Sequence, residues 1–221
     1  MFSQEGYQLR LEWGGEGVSA LGPQCAVLVV VDVLSFTTSV DLVVAAGGRV
    51  RPVRWTAHSS TLRPSSLVNV PEGTLVEITS PNGATLCDLA SGTGATVLAG
   101  CLRNAAAVAK AALARADGGP IGLIPAGERW GEGHTGPLRP SVEDLLGAGA
   151  VAAELVPLLK ASPEARLAAD AYRNADIARV LTECASGREL IAAGDGSDID
   201  LALRIGVSGV APVLVDGVLR A

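Results

Sequence analysis

The chain has 221 residues, with 17 basic against 23 acidic side chains and a formal net charge of −6. At 48% hydrophobic, 3% aromatic and 18% charged residues, it is too apolar to be disordered. It is also too acidic and too poor in aromatics for a general nucleic-acid binder or a polybasic membrane-surface protein.

The length suits one large domain or two small ones, at roughly 100–200 residues each. Mean hydropathy is +0.37, yet no apolar run approaches the roughly 20 residues that span a bilayer. Ala26–Val31 is followed at once by Asp32. Met1–Gly17 carries Glu5, Glu12 and Glu16 and no basic segment ahead of an apolar one, so no signal peptide is expected.

Ala26–Val33 is a continuous β-branched run, the pattern of a strand buried on both faces. Ser35–Ala46 reads as a helix stopped by Gly47-Gly48. Val50–Trp55 alternates like a strand, Thr74–Thr79 is another, and Ala84–Ala90 is helical. Ala95–Ala99 is a strand and Asn104–Ala116 a helix with Asn104 as N-cap. Ile121–Ile124 is a short strand, and Val142–Leu159 is a helix with Pro157 near its end. Pro163–Leu203 is helical in short pieces, with Asp170, Arg173, Asp176, Arg179 and Arg188 on solvated faces, and Val213–Val215 is the last strand. Ala57–Pro71 and Arg129–Pro140 read as surface loops. Strand–helix alternation of this kind predicts an α/β protein, a layered α/β/α arrangement with a mostly parallel or mixed sheet. Residues 1–221 form a single compact unit, whole or divided into two α/β subdomains.

In open α/β sheets, ligands bind beyond the carboxyl ends of the strands. Four such ends carry polar residues here. After the first, Asp32 precedes three hydroxyls, Ser35, Thr37 and Thr38, in the first turn of a helix, where N–H groups and the dipole favour an anion. Asp32 reads as a metal ligand or catalytic carboxylate, or as a residue capping the turn. Ser80-Pro81-Asn82-Gly83 is a turn sequence in which Asn82 could present an amide and Gly83 an N–H to an oxyanion. In Gly100-Cys101-Leu102-Arg103-Asn104, Arg103 offers a bidentate donor to phosphate, carboxylate or sulfonate. The fourth end runs from Glu128 to Arg139 and on to Ser141, an expected N-cap, with Glu143 and Asp144 opening a long helix. Asp32, Glu128, Glu143 and Asp144 are thereby expected at one sheet edge, as oxygen donors suited to Mg²⁺.

The four cysteines, Cys25, Cys87, Cys101 and Cys184, have no CxxC spacing and are expected to be thiols in a reducing cytoplasm. No Arg stands six positions after Cys101, as a Cys-dependent phosphatase needs, because residue 107 is Ala. His58 and His134 have no zinc-ligand spacing, and both read as loop residues; His134 in the Gly-rich Gly131–Gly136 segment is a candidate general acid.

Taken in order, Asp32-Val33-Leu34-Ser35-Phe36-Thr37-Thr38, Ser80-Pro81-Asn82-Gly83-Ala84-Thr85, Gly100–Ala105, Ile124–Arg129 and Leu138–Ala150 resemble the 2-phosphosulfolactate phosphatase (ComB) family. Ser186-Gly187-Arg188-Glu189-Leu190, with Gly194 and Asp198-Ile199-Asp200, is similar to the family's C-terminal region. The resemblance runs from about residue 26 to the C-terminus. It implies an α/β fold and a Mg²⁺-dependent phosphatase that hydrolyses 2-phosphosulfolactate to sulfolactate and phosphate, a step toward coenzyme M. Many members carry Arg after Asp-Val-Leu, where this chain has Ser35-Phe36. That substitution removes a guanidinium from the anion site.

On this reading Asp32, with Glu143 or Asp144, holds Mg²⁺, and Asp32, Glu128 and Glu143 serve catalysis. Ser35, Thr37, Thr38, Asn82, Gly83 and Asn104 cradle phosphate, and Arg103 or Arg139 takes the carboxylate or sulfonate. The second Asp of the haloacid-dehalogenase signature is absent, because Leu34 stands there. Attack by water is therefore favoured over a phospho-Asp32 intermediate. The alternatives are a phosphatase for another small phospho-acid or sugar phosphate, and a non-catalytic anion-binding protein. The expected partner is a small phosphorylated organic acid, not nucleic acid or membrane, and the apolar composition permits a homodimer.

Overall fold

The structure, a computed structural model, describes residues 3–56, 62–131 and 136–221. His58 and His134 lie outside the described residues. The chain opens with β1 (Leu9–Leu11), α1 (Gly14–Leu21), β2 (Val27–Val31), α2 (Phe36–Ala45) and β3 (Arg49–Arg54). A 3-10 turn, Pro64–Leu67, precedes β4 (Leu75–Ser80), α3 (Gly83–Ser91), β5 (Thr96–Gly100), α4 (Ala105–Ala116) and β6 (Ile121–Pro125). A small ribbon, β7 (Glu128–Arg129) with β8 (Leu138–Arg139), leads to α5 (Val142–Leu155). Four short helices follow, α6 (Pro163–Asn174), α7 (Ile177–Glu183), α8 (Ala185–Ala193) and α9 (Gly196–Ala202). The hairpin β9 (Val213–Val215) and β10 (Val218–Arg220) ends the fold.

Among the described residues, eight strands make one mixed sheet in the order β1-β6-β2-β5-β9-β10-β3-β4. It consists of two parallel blocks, β1-β6-β2-β5 and β3-β4, joined by the antiparallel β9-β10 hairpin. The hairpin meets each block through one residue pair, Leu98 with Val213 and Val50 with Leu219. Strand β2 is central, pairing Val27–Val31 with Thr96–Gly100 on one side and Ile121–Pro125 on the other. All five of its residues are buried. Their side chains alternate between layers, as a period of two requires. Val27, Val29 and Val31 join a core with residues of α4, α5 and α6, whereas Leu28 and Val30 join a core with residues of α1, α2 and α3. The expected α/β/α layering is therefore the observed one.

Helix α5 reaches the end of β2 because Gly147 has no side chain. A Cβ there would come within 2.8 Å of Val31 Cγ1. The helix ends at Leu155, ahead of Pro157 and short of the expected Leu159. Two caps also differ from expectation. Asn104 holds its own turn, accepting from the Cys101 N–H at 2.9 Å and donating to the Ala99 carbonyl. Ser141 donates to the Asp144 carboxylate at 2.9 Å instead of accepting from a helix amide. The exposed pairs Asp170–Arg173 and Arg179–Glu183 occupy solvated faces as expected. Among the described residues, no helix is long and apolar enough to cross a membrane.

Candidate active site

The carboxyl ends of the two parallel blocks meet at Asp32. Its Oδ2 accepts from the Gly83 N–H at 3.0 Å and lies 3.3 Å from the Ser80 hydroxyl, both beyond or at the end of β4. The Phe36 N–H, the first of α2, hydrogen-bonds the same carboxylate. Two helix N-termini thus converge on one buried acid. Position 83 needs glycine for this approach, since a Cβ would sit 2.7 Å from Asp32 Oδ2 and 2.8 Å from Phe36 Cβ. Its φ is not left-handed, so close packing, not turn freedom, explains the residue.

Desolvation and the neighbouring Glu128 nonetheless push the Asp32 carboxyl up to about 7. The Gly83 and Phe36 N–H groups and the Ser80 hydroxyl oppose the rise by favouring the charged form. Asp144 is raised well above the usual carboxylate range by burial, with Asp32 and Glu143 adding to it.

Asp144 joins three segments. Oδ1 accepts from the Val33 N–H at 2.8 Å, and Oδ2 from the Gly127 N–H at 2.9 Å and the Ser141 hydroxyl. Gly127 has φ +69, a left-handed turn that aims its N–H at the acid. The carboxylate ties the ends of β2 and β6 to the start of α5. Glu143, one residue earlier, is buried and hydrogen-bonded to the Cys184 thiol. Glu128 on β7 is half-buried, and its Oε2 accepts from the Asn82 amide at 3.0 Å.

These residues surround a pocket of about 440 Å³. Asp32, Glu128, Glu143 and Asp144 all line it, as do Ser35 and Asn82. So do residues the sequence reading passed over. Ser80 reads in the sequence only as part of a turn. Trp55 and Arg63 come from a strand end and a loop that carry no site signal in the sequence, and Ser186 and Glu189 from the segment similar to the family's C-terminal region, where neither stands out as a site residue.

Other expected residues are placed differently. The Thr37 hydroxyl accepts from the Asp32 N–H and donates to the Asp32 carbonyl, and the Thr38 hydroxyl donates to the Val33 carbonyl. Both are fully buried and hold the strand-to-helix turn, so neither faces a phosphate. The Gly83 N–H is engaged by Asp32 and Ser80 instead of a ligand. Arg103 is locked in the interior, with Nε 2.7 Å from Asp41 Oδ2 and Nη1 donating to the Leu201 carbonyl. It and Asn104 do not line the pocket. Arg139 stands over the Trp130 ring at 5.7 Å, with Nη2 3.5 Å from the Ser186 hydroxyl. It therefore touches a lining residue without lining the pocket itself. Burial pushes the Cys101 thiol up to about 12, which keeps it protonated and not nucleophilic.

The donor chemistry suits Mg²⁺. Five carboxylates line one pocket; Glu128 raises the proton affinity of Asp32, and Asp32 and Glu143 raise that of Asp144, a repulsion that a hard cation would relieve. Among the described residues, no three His, Cys, Asp or Glu side chains form a ready-made metal cluster. Mg²⁺ asks for less, usually one or two carboxylates completed by water and substrate phosphate. Asp32 and Asp144 each already serve three hydrogen-bond donors, whereas Glu143 pairs with the Cys184 thiol.

The family model for 2-phosphosulpholactate phosphatase matches residues 60–217. That span includes the segments bearing Ser80, Asn82, Glu128, Glu143 and Asp144. Asp32 and Ser35 precede it, and it is the folded geometry that sets them against those segments. With the greater part of its length matched, the chain belongs to the 2-phosphosulfolactate phosphatase family.

Proposed function

We propose that this protein is a Mg²⁺-dependent phosphomonoester hydrolase acting in the pocket at the end of β2 on a small phosphorylated organic acid, with 2-phosphosulfolactate as the substrate its family suggests. The observation that carries the reading is the convergence of Asp32, Glu128, Glu143 and Asp144 on one pocket in a chain of this family.

Asp32 and Glu143 would hold the metal. Bound there, Mg²⁺ would supply positive charge to the phosphoryl oxygens as charge develops in the transition state. Asp144 keeps the frame rigid by fixing the Val33 and Gly127 amides. Glu128, oriented by the Asn82 amide, accepts the proton of the attacking water as the P–O ester bond breaks. Ser35 and Ser186 offer hydroxyl donors to the phosphate from the pocket wall.

Phosphate release from a panel of phosphorylated C3 acids and sugar phosphates, with and without Mg²⁺, tests this reading. Metal-dependent release from at least one acid is expected. No such release from any member would favour a binding protein instead. Ser35-Phe36, in place of an Arg-bearing motif, favours a second reading in which the preferred phospho-acid lacks a sulfonate. It predicts turnover of phosphorylated carboxylic acids with no advantage for the sulfonated one.

A further inference from the structure

The pocket's electrostatics are lopsided. Asp32, Glu128, Glu143, Asp144 and Glu189 line it, and among the described residues Arg63 is the one cationic side chain that does. A metal answers for the phosphate. It does not answer for a second anionic group on the same small substrate, which would meet a wall of carboxylates.

We propose that Arg63 is the receptor for that second group, a carboxylate or sulfonate carried beside the phosphate, and so the residue that separates phospho-acids from neutral phosphomonoesters. The proposal deepens the phosphatase reading and rests on it. Arg63 is set at the pocket by its backbone. It immediately precedes the Pro64–Leu67 turn, and the Ser65 N–H donates to the fully buried Asp198 at 2.8 Å. The guanidinium is steered but not locked. Its Nη2 lies 3.3 Å from Asp195 Oδ2, with the two side chains 39% and 34% exposed. A pair so open to water is weak, and a substrate anion can replace Asp195 at little cost. The two arginines the sequence offers for such a group are engaged elsewhere: Arg103 is buried against Asp41, and Arg139 is stacked on Trp130. A planar guanidinium can grip two oxygens of a carboxylate or sulfonate at once, which an ammonium cannot.

The test compares two Mg²⁺-supported substrates with the phosphate on the middle carbon of a three-carbon chain. One is 2-phospholactate, which has a carboxylate, and the other is glycerol 2-phosphate, which has none. Arg63→Gln should raise KM for 2-phospholactate about 30-fold, the scale of a charged hydrogen bond, and leave glycerol 2-phosphate within about threefold. Arg63→Lys should recover part of the loss, because it restores charge without the fork. Equal losses on both substrates, or no loss on either, would overturn the assignment.

Binding of 3-sulfolactate, measured by calorimetry in the presence of Mg²⁺, separates this proposal from the reading it rests on. If wild-type protein hydrolyses neither ester nor any other member of the panel, the phosphatase reading falls. Binding that weakens about tenfold or more in Arg63→Gln would still support Arg63 as an anion receptor. Equal binding by both proteins, or none by wild type, would refute it.

Discussion

Asp32→Asn exchanges a strongly perturbed carboxylate of the pocket for a neutral group of the same shape. In the fold Asp32 titrates near 7, and its ordinary value is 3.8. At 1.36 kcal/mol per pH unit the gap corresponds to at most about 4 kcal/mol. The sign follows from the direction of the shift. Below pH 3.8 Asp32 is protonated in both folded and unfolded chains and costs nothing. Between about 4 and 7 the unfolded chain ionises and the folded one resists, so stability falls as pH rises. Above 7 the full cost is present. The asparagine oxygen can still accept from the Gly83 N–H, and its amide can face Glu128 without repulsion. In metal-free protein at pH 8, Asp32→Asn should therefore be the more stable form, by up to roughly 10 °C in melting temperature for a chain of this size. At pH 4 the two should nearly coincide. Thermal unfolding followed by circular dichroism in EDTA measures the difference. Added Mg²⁺ should raise the wild-type midpoint at pH 8 and leave the variant's unchanged, while the variant loses turnover. A variant less stable than wild type at pH 8, or a difference that does not vary with pH, would refute the reasoning.

Other perturbations separate the frame from the chemistry. Asp144→Ala strips the Val33 and Gly127 amides of their acceptor inside the protein and should cost about 3 kcal/mol in urea denaturation. Gly83→Ala drives a Cβ toward Asp32 and Phe36, so kcat on the best panel substrate should fall by roughly tenfold or more as the carboxylate is displaced. Arg103→Met leaves Asp41 charged and unpaired in the interior, at a cost of about 3–5 kcal/mol, and adding Asp41→Leu should recover most of it. Activity per folded molecule should stay within about twofold in that double variant, because neither residue lines the pocket; a selective rise in KM would return Arg103 to the substrate.

Much of the layering was legible because it is written locally. The unbroken apolar run of β2 can only be a strand covered on both faces. The misses have local causes too. Asp216-Gly217, between Val213–Val215 and Val218–Leu219, is a strong hairpin signal, and both residues take positive φ, yet β10 is too short to show a period. At β1 and α1, Arg10 interrupts an apolar triplet and two glycines open the helix, so neither template fits. Sheet order was out of reach, because one-residue pairings at Leu98 and Val50 place the hairpin between the two blocks. At the site, the position of a polar residue after a strand was readable, and Asp32, Ser35, Asn82, Glu128, Glu143 and Asp144 do line one pocket. What each group faces was not. Thr37 and Arg103 look like ligand donors in sequence, but their partners, the Asp32 backbone and Asp41, are fixed by local turn geometry and by a helix 62 positions away.

That difference changes what the helix N-termini mean. Amides at the start of α2 and α3 look like a phosphate cradle, yet here they hold the carboxylate of Asp32. The anion they stabilise belongs to the protein. Their effect is to keep Asp32 from rising further than about 7 in a place where burial and Glu128 both favour the neutral acid. A carboxylate kept so close to ionisation releases its proton readily when a cation arrives, because the metal and the proton compete for the same charge. On the proposed reading the dipoles thus favour binding of a cation, and the cation would in turn favour the phosphate. This sequence of attractions would let a chain of net charge −6, with an acid-lined pocket, take the proposed anionic substrate. Arg63, the one cationic side chain lining that pocket among the described residues, is then the proposed partner of the substrate's second anionic group.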